Sequence, residues 1–474
     1  MRRLLFLALV LATPATGQTL QQRVETTLDE AATGTRFGLV VTDADGAEIV
    51  AVNPDGRFIP ASNTKMFTTA AAFATVPGLD QPDVAGGTAV RIEGSNVILE
   101  GHGDARLSSA DDCAVDCLAT LADAVAAKTR HVRDVIGDDT LFPDQRWSPG
   151  MSWNNIPSRS GTGISALSLD DNELVIRVTP TVPGEVPTID ALGYYQIENR
   201  ALTTAAGATA LGYDRDPNRR VLKISGTIAV GAPAGTLRVG IDDPADYAAW
   251  RFKALLEARG VRVRGTASAR HRALAPGDDP AVRKGAPPAR PPVQEALARL
   301  TPPPLAENIV TINKVSQNLH AELLLRRVGL QHGTGSIADG QAQVQAMLEQ
   351  AGVPRTAYDL SDGSGMSSYN RAAPRGTVTM LRWIAEQPWG STWRASLPIG
   401  GVDGTLSRRF KGTVLEGKIF AKTGTLNATN ALSGYMIAKS GKELTFSSFA
   451  NDIPADAGAT KFVDAALVLI AEAN

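Results

Sequence analysis

Cysteine, histidine and aromatic residues are scarce in this chain of 474 residues, which holds two Cys, five His and 5% aromatics. The histidines (His102, His131, His271, His320, His332) and the cysteines form no His-Glu-x-x-His or Cys/His ligand cluster, which argues against a zinc site. An excess of one charge is missing too, with 47 Lys+Arg against 49 Asp+Glu and a net charge of −2. That balance gives no electrostatic reason to bind a polyanion, and sparse aromatics supply no base-stacking surface, so nucleic-acid binding is not expected. Long apolar runs are also absent. The run Ala465–Ile470 lies between Asp464 and Glu472 and reads as a core helix, far short of the roughly twenty residues that span a bilayer. What remains, 43% hydrophobic and 20% charged residues, is the composition of a folded globular protein, not a disordered or collagen-like one. At roughly 100–200 residues per domain, the length predicts two to four domains.

The first residues read as an address. Arg2-Arg3 is a charged start, Leu4–Ala12 a short apolar core, and Pro14-Ala15-Thr16-Gly17 offers small residues for cleavage before Gln18. The alternative is a buried N-terminal helix, but the pattern predicts a secretory signal over 1–17 and an exported, soluble mature chain. Cys113 and Cys117 stand four apart. In an oxidising compartment they can pair across one helical turn, or they can remain two small buried thiols.

Phe37–Asp43 is apolar on both faces and predicts a buried strand. Asp45-Gly46 turns the chain, and Glu48–Val52 returns as the second arm of a hairpin. Met66–Ala74 is an alanine-rich helix with little polar surface, the kind that lies in a domain centre. From about 85 to 275 the texture shifts to short strands, glycines and turns. Within it Asp243 caps a helix with Pro244 in its first turn, running through Trp250, Phe252, Leu255 and Leu256 to Gly260, with a strand opening at Val261 and Val263. A proline-rich stretch from Pro276 to Pro304 marks a connector, and helices and strands alternate again from Glu307. There is no internal repeat. Both chain ends therefore build one domain, interrupted by a large inserted block.

Ser62-Asn63-Thr64-Lys65 opens the alanine helix. Serine and lysine at i and i+3 share a helical face, and a serine becomes a useful nucleophile only beside a base. An apolar helix start offers the burial that lowers a lysine pKa, and the helix N-terminus aims N–H groups at developing negative charge. Alone the motif is equally a helix cap with a solvated lysine. Lys422-Thr423-Gly424-Thr425 is rarer. It ends a strand, Gly417–Thr425, followed by Leu432–Ile437 and Leu444–Phe449 as a meander. An edge strand can pair with an extended peptide, the lysine and threonine hydroxyls can hold a carboxylate, and Gly424 permits close approach. The plain alternative is an exposed turn. Ser-x-Asn occurs at Ser152-Trp153-Asn154, Ser316-Gln317-Asn318 and Ser368-Tyr369-Asn370; only Ser316 and Asn318 open a helical segment able to present them into a cleft.

Ser-x-x-Lys, Ser-x-Asn and Lys-Thr-Gly in this order are the set found in penicillin-binding proteins and class A β-lactamases. The chain resembles the penicillin-binding-protein-4 type of D-alanyl-D-alanine carboxypeptidase/endopeptidase, the S13 serine peptidases. The long gap from Ser62 to Ser316 matches that family's inserted domains and is too long for a simple class A β-lactamase. Gly101–Leu107, Tyr358–Ser367 with its Asp362-Gly363-Ser364-Gly365, and Leu397–Leu406 resemble further loops of the family, so the likeness covers nearly the whole mature chain. One departure is that an acidic residue often found after the insert's tryptophan is replaced here, where Asn154-Asn155 follow Trp153. A preference for an amino-bearing third residue of the stem peptide is therefore not carried over.

The resemblance implies an α/β (α+β) fold: a β-lactamase/transpeptidase-like domain with an antiparallel sheet flanked by helices, interrupted by a large β-rich insertion. The expected division is catalytic domain 18–85 and 290–474, inserted domain II 86–155 and 236–289, and nested domain III 156–235. It implies acyl transfer with Ser62 as nucleophile, Lys65 as general base, Ser316 relaying a proton, and Asn318 orienting Lys65 and the substrate amide. Lys422, Thr423, Gly424 and Thr425 bind the terminal carboxylate, and no metal or organic cofactor is needed. The implied partners are peptidoglycan stem peptides, with β-lactams as covalent inhibitors, at most peripheral membrane contact, and a periplasmic location. Two other readings stand beside it: a β-lactamase-like hydrolase, although no dedicated deacylation carboxylate is evident, and a non-catalytic wall-binding scaffold.

Overall fold

The computed structural model describes residues 18–290 and 294–474. The signal segment expected over 1–17 lies outside the described residues. No helix among the described residues is long and apolar enough to cross a membrane.

The hairpin read in the sequence forms, Arg36–Thr42 pairing antiparallel with Glu48–Val52. The meander also forms, as Ile419–Leu426, Thr429–Ile437 and Glu443–Asn451. Arg36–Thr42 pairs with Glu443–Asn451, joining the two into one antiparallel five-stranded sheet with Ile419–Leu426 at its edge. Residues far apart in sequence thus build a single layer. Successive side chains of a strand face opposite sides. Ala431 and Tyr435 accordingly join a core with the buried helix Thr64–Thr75, while Leu432 and Met436 join a second core under the terminal helices Leu20–Asp29 and Thr460–Ala473. Both faces are covered, which is why Phe37–Thr42 reads as a nearly unbroken apolar run.

Thr64–Thr75 is buried along most of its length because its side chains are small and apolar; Met66, Phe67, Ala70, Ala71 and Ala72 pack against Leu324, Leu325 and Trp393. Trp393 Nε1 donates to Thr69 Oγ1 at 3.0 Å, so the largest fully buried side chain also pins this helix.

The middle of the chain has a core of its own. Strands Ala89–Glu93, Asn96–Glu100, Val135–Pro143, Ala267–Arg272 and Ala298–Arg299 form one five-stranded sheet; the last pairs with Ala89–Glu93 although it lies beyond residue 289. Helix Pro244–Ala258 packs on it, capped by Asp243 as the sequence suggests, with Gly260 at φ +75° after its end. Smaller sheets follow, one joining Glu173–Thr179 to Gly235–Gly240 and another built around Val221–Ala229. Cys113 and Cys117 are bonded, with Cα atoms 5.7 Å apart. The expected helical turn between them is absent. Asp116 stands at φ +56° and Cys117 caps the helix Leu118–Lys128, so the bridge closes a loop ring and not a turn of helix.

Candidate active site

Ser62 lies in a single 3₁₀ turn, Ala61–Asn63, that runs straight into Thr64–Thr75. Asn63 Nδ2 donates to the Lys422 carbonyl at 2.8 Å, stitching this turn to the sheet edge. Two glycines make the approach possible. A Cβ on Gly424 would stand 2.7 Å from the Pro60 carbonyl and 3.1 Å from the Ser62 nitrogen, and one on Gly365 (φ +90°) would stand 1.9 Å from the Ala61 carbonyl. Any side chain at either position would push the serine turn away.

Lys65 is fully buried. Its Nζ contacts Ser62 Oγ at 3.0 Å, Asn318 Oδ1 at 2.6 Å and the Ser364 carbonyl at 2.6 Å. Burial lowers its pKa from 10.5 to about 7, against the opposing pull of the Asp362 and Glu322 carboxylates. A neutral amine has two N–H bonds and one lone pair. With Asn318 and Ser364 offering only oxygen acceptors, the two N–H bonds point there and the lone pair faces Ser62.

Ser316 and Asn318 sit where Leu305–Lys314 ends and Asn318–Gly329 begins, and Ser316 holds φ +64°. A left-handed serine costs on the order of 1 kcal/mol and survives only where its surroundings over-determine it. Here the determinant is Lys422, whose Nζ donates to Ser316 Oγ at 2.9 Å and to the Thr423 carbonyl at 3.1 Å. Lys422 is also fully buried; burial, reinforced by the nearby Lys65 charge, drives its pKa well below 10.5. Thr423 Oγ1 lies 2.7 Å from Thr405 Oγ1, and Thr425 is exposed at the rim. Of the eight residues singled out in the sequence, Ser62, Lys65 and Asn318 meet directly, as do Lys422 and Ser316, and Gly424 lies against the Ser62 turn with Thr423 and Thr425 beside it on the same strand. Ser152-Trp153-Asn154 falls elsewhere, in and before a short exposed 3₁₀ turn of the insert. Ser368-Tyr369-Asn370 is structural: buried Asn370 Nδ2 donates to Asp362 Oδ1 at 2.7 Å.

Several supporting groups are not among the eight candidate site residues. Glu322 Oε1 accepts from the Gly363 and Ser364 nitrogens at 3.0 and 2.9 Å, and its Oε2 accepts from Arg326 Nη1 at 2.5 Å. Asp362 accepts from the Gly365 and Ser367 nitrogens at 2.9 and 2.6 Å, and burial beside Glu322 raises its pKa to about 6. Together they shape the loop that aims the Ser364 carbonyl at Lys65. Glu322 carries a usable signal, since it lies four residues past Asn318 on the same helical face. Ser364 was visible only as part of the Asp362-Gly363-Ser364-Gly365 loop and Ser160 not at all, because each acts through its carbonyl: Asn318 Nδ2 donates to the Ser160 carbonyl at 3.1 Å.

The profile of the D-Ala-D-Ala carboxypeptidase 3 (S13) family matches residues 20–474. A D-alanyl-D-alanine carboxypeptidase from Actinomadura sp. (strain R39) is 36% identical over 443 residues, covering 88% of this chain and 78% of that relative. D-alanyl-D-alanine carboxypeptidase DacB from Haemophilus influenzae is 24% identical, over 88% of this chain and 86% of its own. The crystal structure of penicillin binding protein 4 (dacB) from Haemophilus influenzae superposes with a TM-score of 0.76 at 22% identity, covering 94% of this chain and 97% of that one. A second crystal structure of that protein, complexed with a β-lactam, gives a TM-score of 0.72. With a serine, two buried lysines and an edge strand assembled in the motif order these peptidases share, the chain belongs to the D-Ala-D-Ala carboxypeptidase 3 (S13) family.

Proposed function

We propose that the protein is a periplasmic serine D-Ala-D-Ala carboxypeptidase, also able to act as an endopeptidase, that works on peptidoglycan stem peptides through a Ser62 acyl-enzyme and is inhibited by β-lactams. The observation that carries this reading is Lys65: a buried amine with pKa near 7, its N–H bonds committed to two carbonyl oxygens and its remaining contact on Ser62 Oγ. Ser62 Oγ attacks the carbonyl carbon between the two D-alanines as its proton passes to Lys65. The oxyanion is held by the N–H groups of Ser62 and Thr425. The tetrahedral intermediate collapses, the C–N bond breaks, and the leaving amine takes a proton through Ser316. Lys422 supports Ser316 through its N–H bond to Oγ, and with the Thr423 and Thr425 hydroxyls it offers N–H and O–H donors to the substrate carboxylate. Water then cleaves the ester and frees Ser62.

Fast hydrolysis of β-lactams is disfavoured by the same geometry. Glu322 and Asp362 are the carboxylates whose charges reach Lys65, and each has both oxygens committed to hydrogen bonds. Neither is free to activate a deacylating water, so a penicilloyl adduct should persist. The test is intact mass with and without benzylpenicillin for the parent and Ser62→Ala, with D-alanine release from a stem pentapeptide in parallel. We expect one adduct per parent chain, none on the variant, and D-alanine only from the parent. An adduct on Ser62→Ala, or none on a folded parent, would overturn the reading.

A further inference from the structure

The insert reaches the helix that carries Asn318 through a turn and a loop that are built from within the insert. Asp170, Asp171 and Asn172 stand consecutively at φ +51°, +55° and +50°. Three left-handed residues in a row, none of them glycine, persist only when anchored on both sides. The outer two are anchored inside the insert. Asp170 accepts from the Ser109 nitrogen at 2.7 Å and from Ser109 Oγ at 2.6 Å, while buried Asn172 donates to the Gly163 carbonyl at 2.9 Å and to Ser168 Oγ at 3.2 Å. The middle one points out of the insert: Asp171 Oδ1 lies 2.8 Å from Nε2 of buried His320, whose Nδ1 lies 2.6 Å from Asn308 Oδ1.

His320 stands two residues after Asn318 on the same helix, and a second bond is made by Asn318 itself, whose Nδ2 donates to the Ser160 carbonyl. The two contacts belong to one rigid piece. Thr162 Oγ1 donates to the Asn172 carbonyl at 2.6 Å and Asn172 Nδ2 holds the Gly163 carbonyl, so the loop carrying Ser160 is tied to the turn carrying Asp171. Orientation of the Asn318 amide matters for chemistry. An acceptor at Ser160 obliges Nδ2 to turn that way and leaves Oδ1 facing Lys65 Nζ. Without it the amide can flip and offer N–H groups to the amine that must act as a base.

We propose that segment 159–172 of the insert is a positioning element of the active site, with Asp171 and His320 as the latch that keeps the Ser160 carbonyl on Asn318 and thereby Asn318 Oδ1 on Lys65. This rests on the acyl-enzyme reading above. The test is stopped-flow acylation by a chromogenic β-lactam, separating the acylation rate constant from the dissociation constant, with thermal melting as a fold check. Asp171→Ala should lower the rate constant by on the order of ten- to a hundredfold at unchanged dissociation constant and melting temperature, as expected for a small misplacement remote from the reacting atoms. Asp171→Asn keeps an acceptor and should restore most of the rate. In an Asn318→Ala background, Asp171→Ala should have no further effect. Parental rates in Asp171→Ala, or an equal loss in both backgrounds, would overturn the latch; should Asp171→Ala not fold, His320→Phe carries the same comparison. A folded parent that never acylates sinks the functional reading, and the latch with it, whereas an acylating parent with an indifferent Asp171→Ala sinks the latch alone.

Discussion

Lys65 in the cleft and His271 in the insert are both largely enclosed basic groups beside two carboxylates, and they are driven in opposite directions. Burial wins at Lys65 and takes it down to about 7 despite Asp362 and Glu322. At His271 the hydrogen bonds from Asp139 and Asp243 win over burial and raise it to about 10. The difference lies in what the carboxylates are doing. Asp139 and Asp243 accept directly from the imidazole, at 3.0 and 3.2 Å. Asp362 and Glu322 have both oxygens occupied by backbone N–H groups, Asn370 and Arg326, so they act on Lys65 only through space. A carboxylate that touches the base stores its charge; one that is kept occupied leaves the base reactive.

The comparison breaks hardest at Lys65. Lys65→Met should lower acylation by about 10²–10⁴-fold, the range for loss of a general base, in single-turnover labelling. The parent's acylation rate should rise with pH and level off above about 7, as the amine loses its proton. A flat profile from about pH 5 to 9 would mean Lys65 is not the base. Gly365→Ala comes next. Its Cβ would meet the Ala61 carbonyl at 1.9 Å from a backbone at φ +90°, so the serine turn must move; we expect about 1–3 kcal/mol of lost stability together with slower acylation.

Much of this was legible in the sequence because the chemistry is carried by side chains at fixed spacing. Ser62 and Lys65 share a helical face, Ser316 and Asn318 flank a helix start, and Lys422 to Thr425 end an edge strand, so residue type and order sufficed. The sheet was legible where burial on both faces produced a nearly continuous apolar strand, as in Phe37–Thr42. What stayed hidden acts through the main chain or across long separations. The carbonyls of Ser364 and Ser160 look like any others in a sequence, and the pairing of Lys422 with Ser316 joins residues that meet only in the folded chain. The Cys113–Cys117 ring was legible as a pair but not as a loop, since the left-handed Asp116 between them leaves no local pattern.

The smallest expected effect is the sharpest, because it concerns sign. Lys65 has a folded pKa near 7 against 10.5 for an ordinary lysine, so the unfolded chain binds the extra proton in that window and the parent loses stability as pH falls from about 10 to 7. Removing the amine relieves this, and the melting temperature of Lys65→Met relative to the parent should be higher at about pH 6 than at about pH 10. His271 is the reverse. Its folded pKa near 10 exceeds the ordinary 6.5, so its contribution is fully present below about 6.5 and disappears as pH rises through 10. His271→Asn should cost about 1 kcal/mol near pH 6, discounted because the ring is partly solvated, and almost nothing above pH 10, with acylation unchanged. Melting curves of the two variants and the parent at those two pH values are enough. If both differences run the same way with pH, contact with a carboxylate is not what separates the two sites, and the argument from occupied oxygens fails.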